Sequence, residues 1–434
     1  MADKLQVWSA MYLNQASWLV PNEVLSLNLP AAVAAEIARA VTIEMEVTLS
    51  GSPRAEFLSS QLKTVVQRLR ITAEYAAAKG GLMLKPYISG KTLAVDHVQA
   101  DQFYPVSFDA NGKMTACVFS DTKVIGQAYY TRLEYHVWTP QGYGITNTAF
   151  KSTTKDMLGT QVPLGSVPEW ATLEPQATIL NVEKPLFAYF KMPFANNIDP
   201  TSPLGVSAYA RAEDLMRRAD ELYSNLVWEF DSGMRAIYVD SHAFGKDTNG
   251  KDVIPNRRLY RELDSAGNIG DAKKRFDDWT PEFREASILS GLDAILKKVE
   301  FNCGLAQGTI SAPSTVALTA TEIKASKQRT YATIVDTQKA LQDALDDLTY
   351  AMDVWTTIGN LAPRGDYSAV YYFDDSIVAD HDTAFSQDMQ VLDRVMSKVE
   401  FRMRNYGEDE ATARKMVAMV TAEQQPVDFF PATE

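Results

Sequence analysis

Cysteine is nearly absent from this 434-residue chain: only Cys117 and Cys303 occur, far apart in sequence. That excludes a disulfide framework and points to a reducing compartment. Histidine is also scarce. His97, His136, His242 and His381 are scattered, with no H-x-x-x-H and no C-x-x-C, so no metal-ligand spacing is present. Basic residues are outnumbered, 42 Lys and Arg against 55 Asp and Glu, for a net charge of −13. Such a balance argues against a surface built to grip nucleic acid or an anionic membrane, yet it allows DNA to pass close by without sticking. No apolar run reaches the ~18 residues needed to cross a bilayer. The opening "MADKLQVWSAMYLNQASWLV" lacks the basic start, apolar stretch and cleavage site of a signal peptide. No repeat is evident. These absences together predict a soluble intracellular protein that uses no membrane and no cofactor.

What is present reads as α+β. Hydrophobic residues make up 46% and charged residues 22%, a balance at which most of the chain should fold, in two to four lobes for this length. A short helix is predicted over 3–21, another over "AAVAAEIARAV", and a strand over "TIEMEVTLSG". "SPRAEFLSSQLKTVVQRLRITAEYAAAKGG" predicts one long helix, with Pro53 in its first turn and Gly80-Gly81 as its stop. From Leu82 to Phe150 the runs "LMLKPYI", "TLAVDHV", "FYPVSFD", "MTACVFS", "YYTRLEYHVW" and "YGITNTAF" predict strands, with a hairpin at Asn111-Gly112. A helix over 207–230 follows. Next comes a polar insert with short strand candidates, "MRAIYVD" and "RRLYREL", and then a helix opened by Thr280-Pro281-Glu282. "GLAQGTISAPSTVAL" is a small-residue loop, and Thr319-Ala320-Thr321-Glu322 forms a capping box for a very long helix. Along that helix two heptad series recur: Ile334, Leu341, Leu348 and Trp355, and Tyr331, Gln338, Leu345 and Met352. This seam suits packing on its own domain and packing on another subunit equally well. A strand in "YSAVYYFDDSIVAD", two helices and a loose tail complete the chain.

No active site assembles from these parts. Gly205-Val206-Ser207-Ala208-Tyr209 lacks the second glycine of a nucleophile elbow and no strand leads into it, so Ser207 reads as a helix cap. "SGKT" at 89–92 and "GKDTNGKD" at 245–252 imitate phosphate loops without their context, and both read as hairpin turns. Asp374, Asp375, Asp380 and Asp382 are the one dense carboxylate cluster. They give the alternative reading, a metal-dependent DNA-processing nuclease, although caps and a solvated turn explain them more simply.

The run "PLFAYFKMPFANNIDPTSPLGVSAYARAEDLMRRADELYSNLVWEF" resembles the most recognisable block of tailed-bacteriophage portal proteins, in the branch found in phages of Gram-positive bacteria. "LMLKPYI", "ADQFYPVSFDANGKMTACVF", "VPEWATL", "TATEIKASKQRTYATI" and "FDDSIVADHDTAFSQDMQVL" are similar to other blocks of that family, in the same order, over most of 80–410. The resemblance implies a non-enzymatic ring of twelve subunits at one capsid vertex, assembled in the host cytoplasm and carried in the virion. Double-stranded DNA would be pumped in through it and later ejected. Implied partners are the terminase large subunit, the major capsid and scaffold proteins, and head-completion adaptor or tail proteins. The implied regions are a wing (1–206), two stem helices (207–230 and 280–303) with a small α/β clip between them (231–279), a tunnel loop (304–320), a long helix returning to the wing (321–380), and a short crown with the tail (381–434).

The resemblance also assigns candidate residues. Gln307, Thr309, Ser311, Ser314 and Thr315 would line the tunnel. Small neutral side chains suit that place, because each neutralised phosphate adds salt-dependent grip, with a slope of about −0.9 per contact. Arg257, Arg258, Lys273, Lys274 and Arg275 fall in the clip, where they would meet DNA or a docking partner, or simply keep a turn soluble. Lys297 and Lys298 are candidates for a channel-facing stem surface, with a solvated helix face as the simpler reading.

Overall fold

The computed structural model of the chain describes residues 1–43, 45–232, 283–312, 320–373, 396–406 and 408–423. It also describes the short segments 236–240, 245–246, 252–253, 260–263, 276–279, 388–389 and residue 392. The chain divides into two units, Met1–Phe373 and Asp374–Glu434.

The first unit opens with helices α1 (Ala2–Tyr12) and α2 (Leu29–Thr42). The first helix stops short of the predicted Pro21 because Asn14 adopts a left-handed backbone, φ 58°. Strand β1 (Met45–Ser50) follows, then α3 (Pro53–Gln67) and α4 (Leu69–Lys79). The single long helix predicted here is therefore two, broken at Arg68, where ψ rises to 0°. Its ends match the sequence reading: the Ser52 hydroxyl accepts from the Ala55 N–H at 3.3 Å, and Gly80 closes α4 at φ 87°.

Strands β2 (Gly81–Ser89) and β3 (Thr92–Gln99) form a hairpin, joined later by β10 (Ala188–Lys191), giving the order β10-β2-β3. Ser89 pairs with Thr92, so "SGKT" is a hairpin turn and not a phosphate loop. A six-stranded antiparallel sheet comes next, with β4 (Phe103–Phe108), β5 (Met114–Ile125), β6 (Ala128–Thr139), β7 (Gly142–Ser152) and β8 (Thr160–Val162) in order and β9 (Gln176–Ile179) also on β7. The Asn111-Gly112 hairpin is held by Asp109, whose carboxylate accepts from the Asn111 and Lys113 N–H groups at 2.9 and 2.8 Å. The core between these sheets holds Met83, Phe103, Phe119, Tyr143, Leu186 and Phe187.

Helix α5 runs over Glu213–Ser232, six residues later than Ser207. Ser207 does cap a turn, accepting from the Tyr209 N–H at 3.3 Å, but it is buried against α4 and donates to the Ala77 carbonyl at 3.4 Å. Gly205 is needed there for close approach, since a Cβ would collide with the Gly80 carbonyl. The insert contains β11 (Ala236–Asp240), β12 (Gly245–Lys246), β13 (Asp252–Val253), β14 (Tyr260–Leu263) and β15 (Phe276–Trp279). β11 lies between a parallel β14 and an antiparallel β15, while β12 and β13 pair as a hairpin where "GKDTNGKD" imitated a phosphate loop.

Helix α6 spans Glu285–Asn302, and α7 spans Ala320–Ile358. The cap expected at Thr280 lies outside the described residues, and α6 begins only after Arg284, which Glu229 holds from α5. Among the seam residues of α7, Ile334, Leu341, Leu345, Leu348 and Met352 are buried. They belong to a helix that packs on β10, β2, α2 and α3, so most of the seam is internal to the chain. Strand β16 (Ser368–Phe373) then pairs antiparallel with β1, Met45 opposite Phe373. The second unit contains α8 (Lys398–Tyr406) and α9 (Glu410–Glu423), linked by a bidentate Arg402–Glu408 pair at 2.6 and 2.8 Å.

Candidate functional site

Three polar constructions hold the first unit together. The first lies inside the β-lobe, on β2, β6 and β7. The Glu134 carboxylate accepts from Lys85 Nζ at 2.6 Å, from an Arg132 guanidinium nitrogen at 3.1 Å and from His136 Nε2 at 2.8 Å. His136 Nδ1 lies 2.5 Å from the Tyr143 hydroxyl. Burial alone would raise the Glu134 pKa, but the His136 hydrogen bond and the nearby cations hold it well below the usual carboxylate range. Burial pushes His136 down, so its ring is neutral, and pushes the Tyr143 phenol far up, so it keeps its proton. The consistent tautomer carries its proton on Nε2, donated to Glu134, with Nδ1 accepting from Tyr143. Lys85, Arg132 and Glu134 border a cleft of about 760 Å³, but Asp96, Asp121 and Glu169 on its wall offset the cations, so it is no anion pocket. Its chemistry is structural: charges that neutralise one another inside a sheet.

The second construction fastens α5 to the amino-terminal segment. Asp220 accepts from the Trp18 indole N–H at 3.0 Å and from the Leu27 N–H at 2.8 Å, and the Ser224 hydroxyl accepts from the Leu25 N–H at 2.8 Å. At the far end of α5, Glu229 takes two guanidinium bonds and one backbone N–H from Arg284, pairing α5 with α6. This helix pair leaves large side chains uncovered: Trp228 is 62% exposed and Phe301 55%, and Phe230, Phe283 and Leu289 are exposed too.

The third lies at the loop after α6. Glu300, in the last turn of α6, is 0% exposed. Its carboxylate accepts from the N–H groups of Gly308 (3.3 Å), Ile310 (2.6 Å) and Ser311 (2.8 Å), and from the Ser311 hydroxyl (2.9 Å).

The candidates named from the sequence fall variously around these constructions. Gln307 and Thr309 are exposed on this loop. Ser311 faces inward, only 4% exposed, because its hydroxyl and N–H both serve Glu300. Lys298 is exposed, while Lys297 pairs with Asp293 at 2.7 Å on its own helix. Ser314, Thr315, Arg257, Arg258, Lys273, Lys274, Arg275 and the Asp374, Asp375, Asp380 and Asp382 cluster all lie outside the described residues. Among the described residues no group of His, Cys, Asp and Glu could hold a metal ion, and no helix is long and apolar enough to cross a membrane. Both cysteines are free and buried, and burial pushes each thiol up to about 12.

Sequence reading missed Glu300, Asp220 and Glu229. Nothing in "KKVEFN" separates Glu300 from a solvated acid. The one available signal was Gly304 and Gly308, which announce a turn whose N–H groups require an acceptor.

The sequence matches the family described as "Phage portal protein, SPP1 Gp6-like" over residues 61–399. Among solved structures, a chain of the "Neck of native GTA particle computed with C12 symmetry" is similar at a TM-score of 0.43 and 11% identity, covering 93% of each chain. No curated protein matches.

Proposed function

Because the chain belongs to the phage portal protein family, its role is that of a portal in the virion, and we propose that twelve copies close into a ring at one capsid vertex. Double-stranded DNA passes through the ring during packaging and ejection. The terminase large subunit docks during packaging, and head-completion adaptor or tail proteins dock afterwards. The residues before α5 form the wing, joined by α7 and β16. Helices α5 and α6 form the stem, the 233–282 insert the clip, 304–319 the tunnel loop, and α8 with α9 a short crown. The observation that carries the ring is the aromatic face of the stem pair, with Trp228, Phe230 and Phe283 uncovered in a single chain. A surface this apolar is costly in water and is relieved by a neighbouring copy.

The loop then presents Gln307 and Thr309 to DNA as neutral side chains, so the channel neither grips nor repels a phosphate strongly. Capsids assembled without this chain are expected to remain empty of DNA, and capsids assembled with it to fill when terminase and ATP are supplied. DNA-filled capsids that lack the chain would overturn the portal reading. The nuclease alternative has no support from the family match, which is to a structural protein.

A further inference from the structure

We propose that Glu300 is the positioning residue of the tunnel loop: its buried carboxylate fixes the backbone of residues 308–311 and so sets where Gln307 and Thr309 stand. The inference rests on the portal reading, since only there does this loop meet DNA.

A carboxylate taken out of water must find partners, and here they are three backbone N–H groups and one hydroxyl rather than a cation. Bonds of this charge-assisted kind are about twice as strong as neutral ones. Converging amides also spread the negative charge over fixed dipoles. The turn that brings these amides together needs Gly308 in the left-handed region, at φ 89°. The Gly308 N–H also reaches the Ser311 hydroxyl at 3.1 Å, so Ser311 closes the network from its other side.

Two contacts independent of Glu300 secure the helices from which the loop departs. The Arg329 guanidinium stacks over the Phe301 ring, 3.8 Å from its centroid, tying α7 to the end of α6. Gly304, at φ 74°, sits so close to Thr333 of α7 that a Cβ would collide with it. The two helices are thereby pinned at the level of residue 304, and Glu300 carries the fixed structure onward to 311. Its position also suits a channel: the carboxylate is satisfied indoors, so the loop's surface stays neutral towards the DNA backbone.

The test compares Glu300→Ala, Glu300→Gln and Ser311→Ala in the full chain, reading amide hydrogen exchange on assembled rings and DNA packaging by capsids built on them. Glu300→Ala strips the Ile310 and Ser311 N–H groups of their acceptor and leaves Gly308 only the Ser311 hydroxyl, so exchange at Ile310 and Ser311 should quicken about tenfold to a hundredfold. Packaging should fall about tenfold or more, while ring yield and the exchange of the β-sheets stay unchanged. Glu300→Gln keeps one oxygen for the Ile310 and Ser311 N–H groups and can donate to the Ser311 hydroxyl. It should therefore restore most of both readouts, which a loss due to general destabilisation would not predict. Should Glu300→Ala give no rings, Ser311→Ala decides: faster exchange confined to 308–311 with slower packaging supports the assignment, and unmoved exchange there overturns it. Normal packaging by rings whose loop exchanges fast overturns it, as does exchange at Ile310 and Ser311 that is unmoved by Glu300→Ala. Wild-type protein that forms no rings and supports no packaging would instead sink the portal reading beneath it.

Discussion

The β-lobe and the α5–α6 pair solve the same problem in opposite ways. The lobe takes charges inside and neutralises them there, with Lys85 and Arg132 around Glu134, a neutral His136 donating to it, and Phe119 and Phe187 packed nearby. The helix pair keeps its ionic bonds, Glu229 with Arg284 and Lys297 with Asp293, and leaves its aromatics in water. One region is complete within a single chain. The other leaves apolar rings in water that a neighbouring copy in the proposed ring would cover.

The comparison breaks most sharply at Glu134. Glu134→Ala leaves the buried Lys85 with only Asp96, 3.7 Å away, and takes its ion pair from the partly buried Arg132, an expected loss of about 3 kcal/mol in thermal or denaturant unfolding. A loss below about 1 kcal/mol would mean that water reaches the cluster freely. Next in size is Gly205→Ala, which drives a methyl group into the Gly80 carbonyl and should cost about 1–3 kcal/mol in the same measurement.

Acid should weaken the lobe before the helix pair. Burial, and then the Arg68 charge, pushes His97 down to about 4. A depressed pKa means that its contribution is fully present above the unfolded value near 6.5 and is lost as pH falls towards 4. His136, also depressed, has the same sign. Stability should therefore fall on going from pH 7 to pH 5, His97 alone contributing a loss of about 1 kcal/mol for the first unit of pH below 6.5. His97→Asn should flatten that slope, and an unchanged slope would remove His97 from the account. The smallest effect on folding belongs to Trp228→Glu, expected to shift unfolding by less than about 0.5 kcal/mol because the side chain is exposed. Its effect should appear in sedimentation, as loss of the ring.

Much of this was legible in the chain. The β-lobe followed from alternation and turn chemistry, and its hairpins at Asn111-Gly112 and Ser89–Thr92 formed where the turn residues stood. The ordered blocks carried the family. Boundaries that depended on single backbone angles were not legible: Arg68 splitting one helix into α3 and α4, Asn14 ending α1, and the delayed starts of α5 and α6. Gly205 is a point of close backbone contact with Gly80, which the residues around it in sequence do not announce. The heptad series on α7 could not reveal its partner, since an apolar stripe buries as well against its own sheet as against another subunit. Glu300 escaped because three of its partners are backbone N–H groups, which no side-chain pattern announces, and Asp220 because its partners, the Trp18 indole and the Leu27 N–H, lie far away in sequence.

Electron microscopy of the purified full chain, averaged in projection down the particle axis, tests the central claim most directly. The account predicts closed rings of twelve subunits around an open channel. A protein that remains monomeric or dimeric, both when purified and inside infected cells, would contradict it.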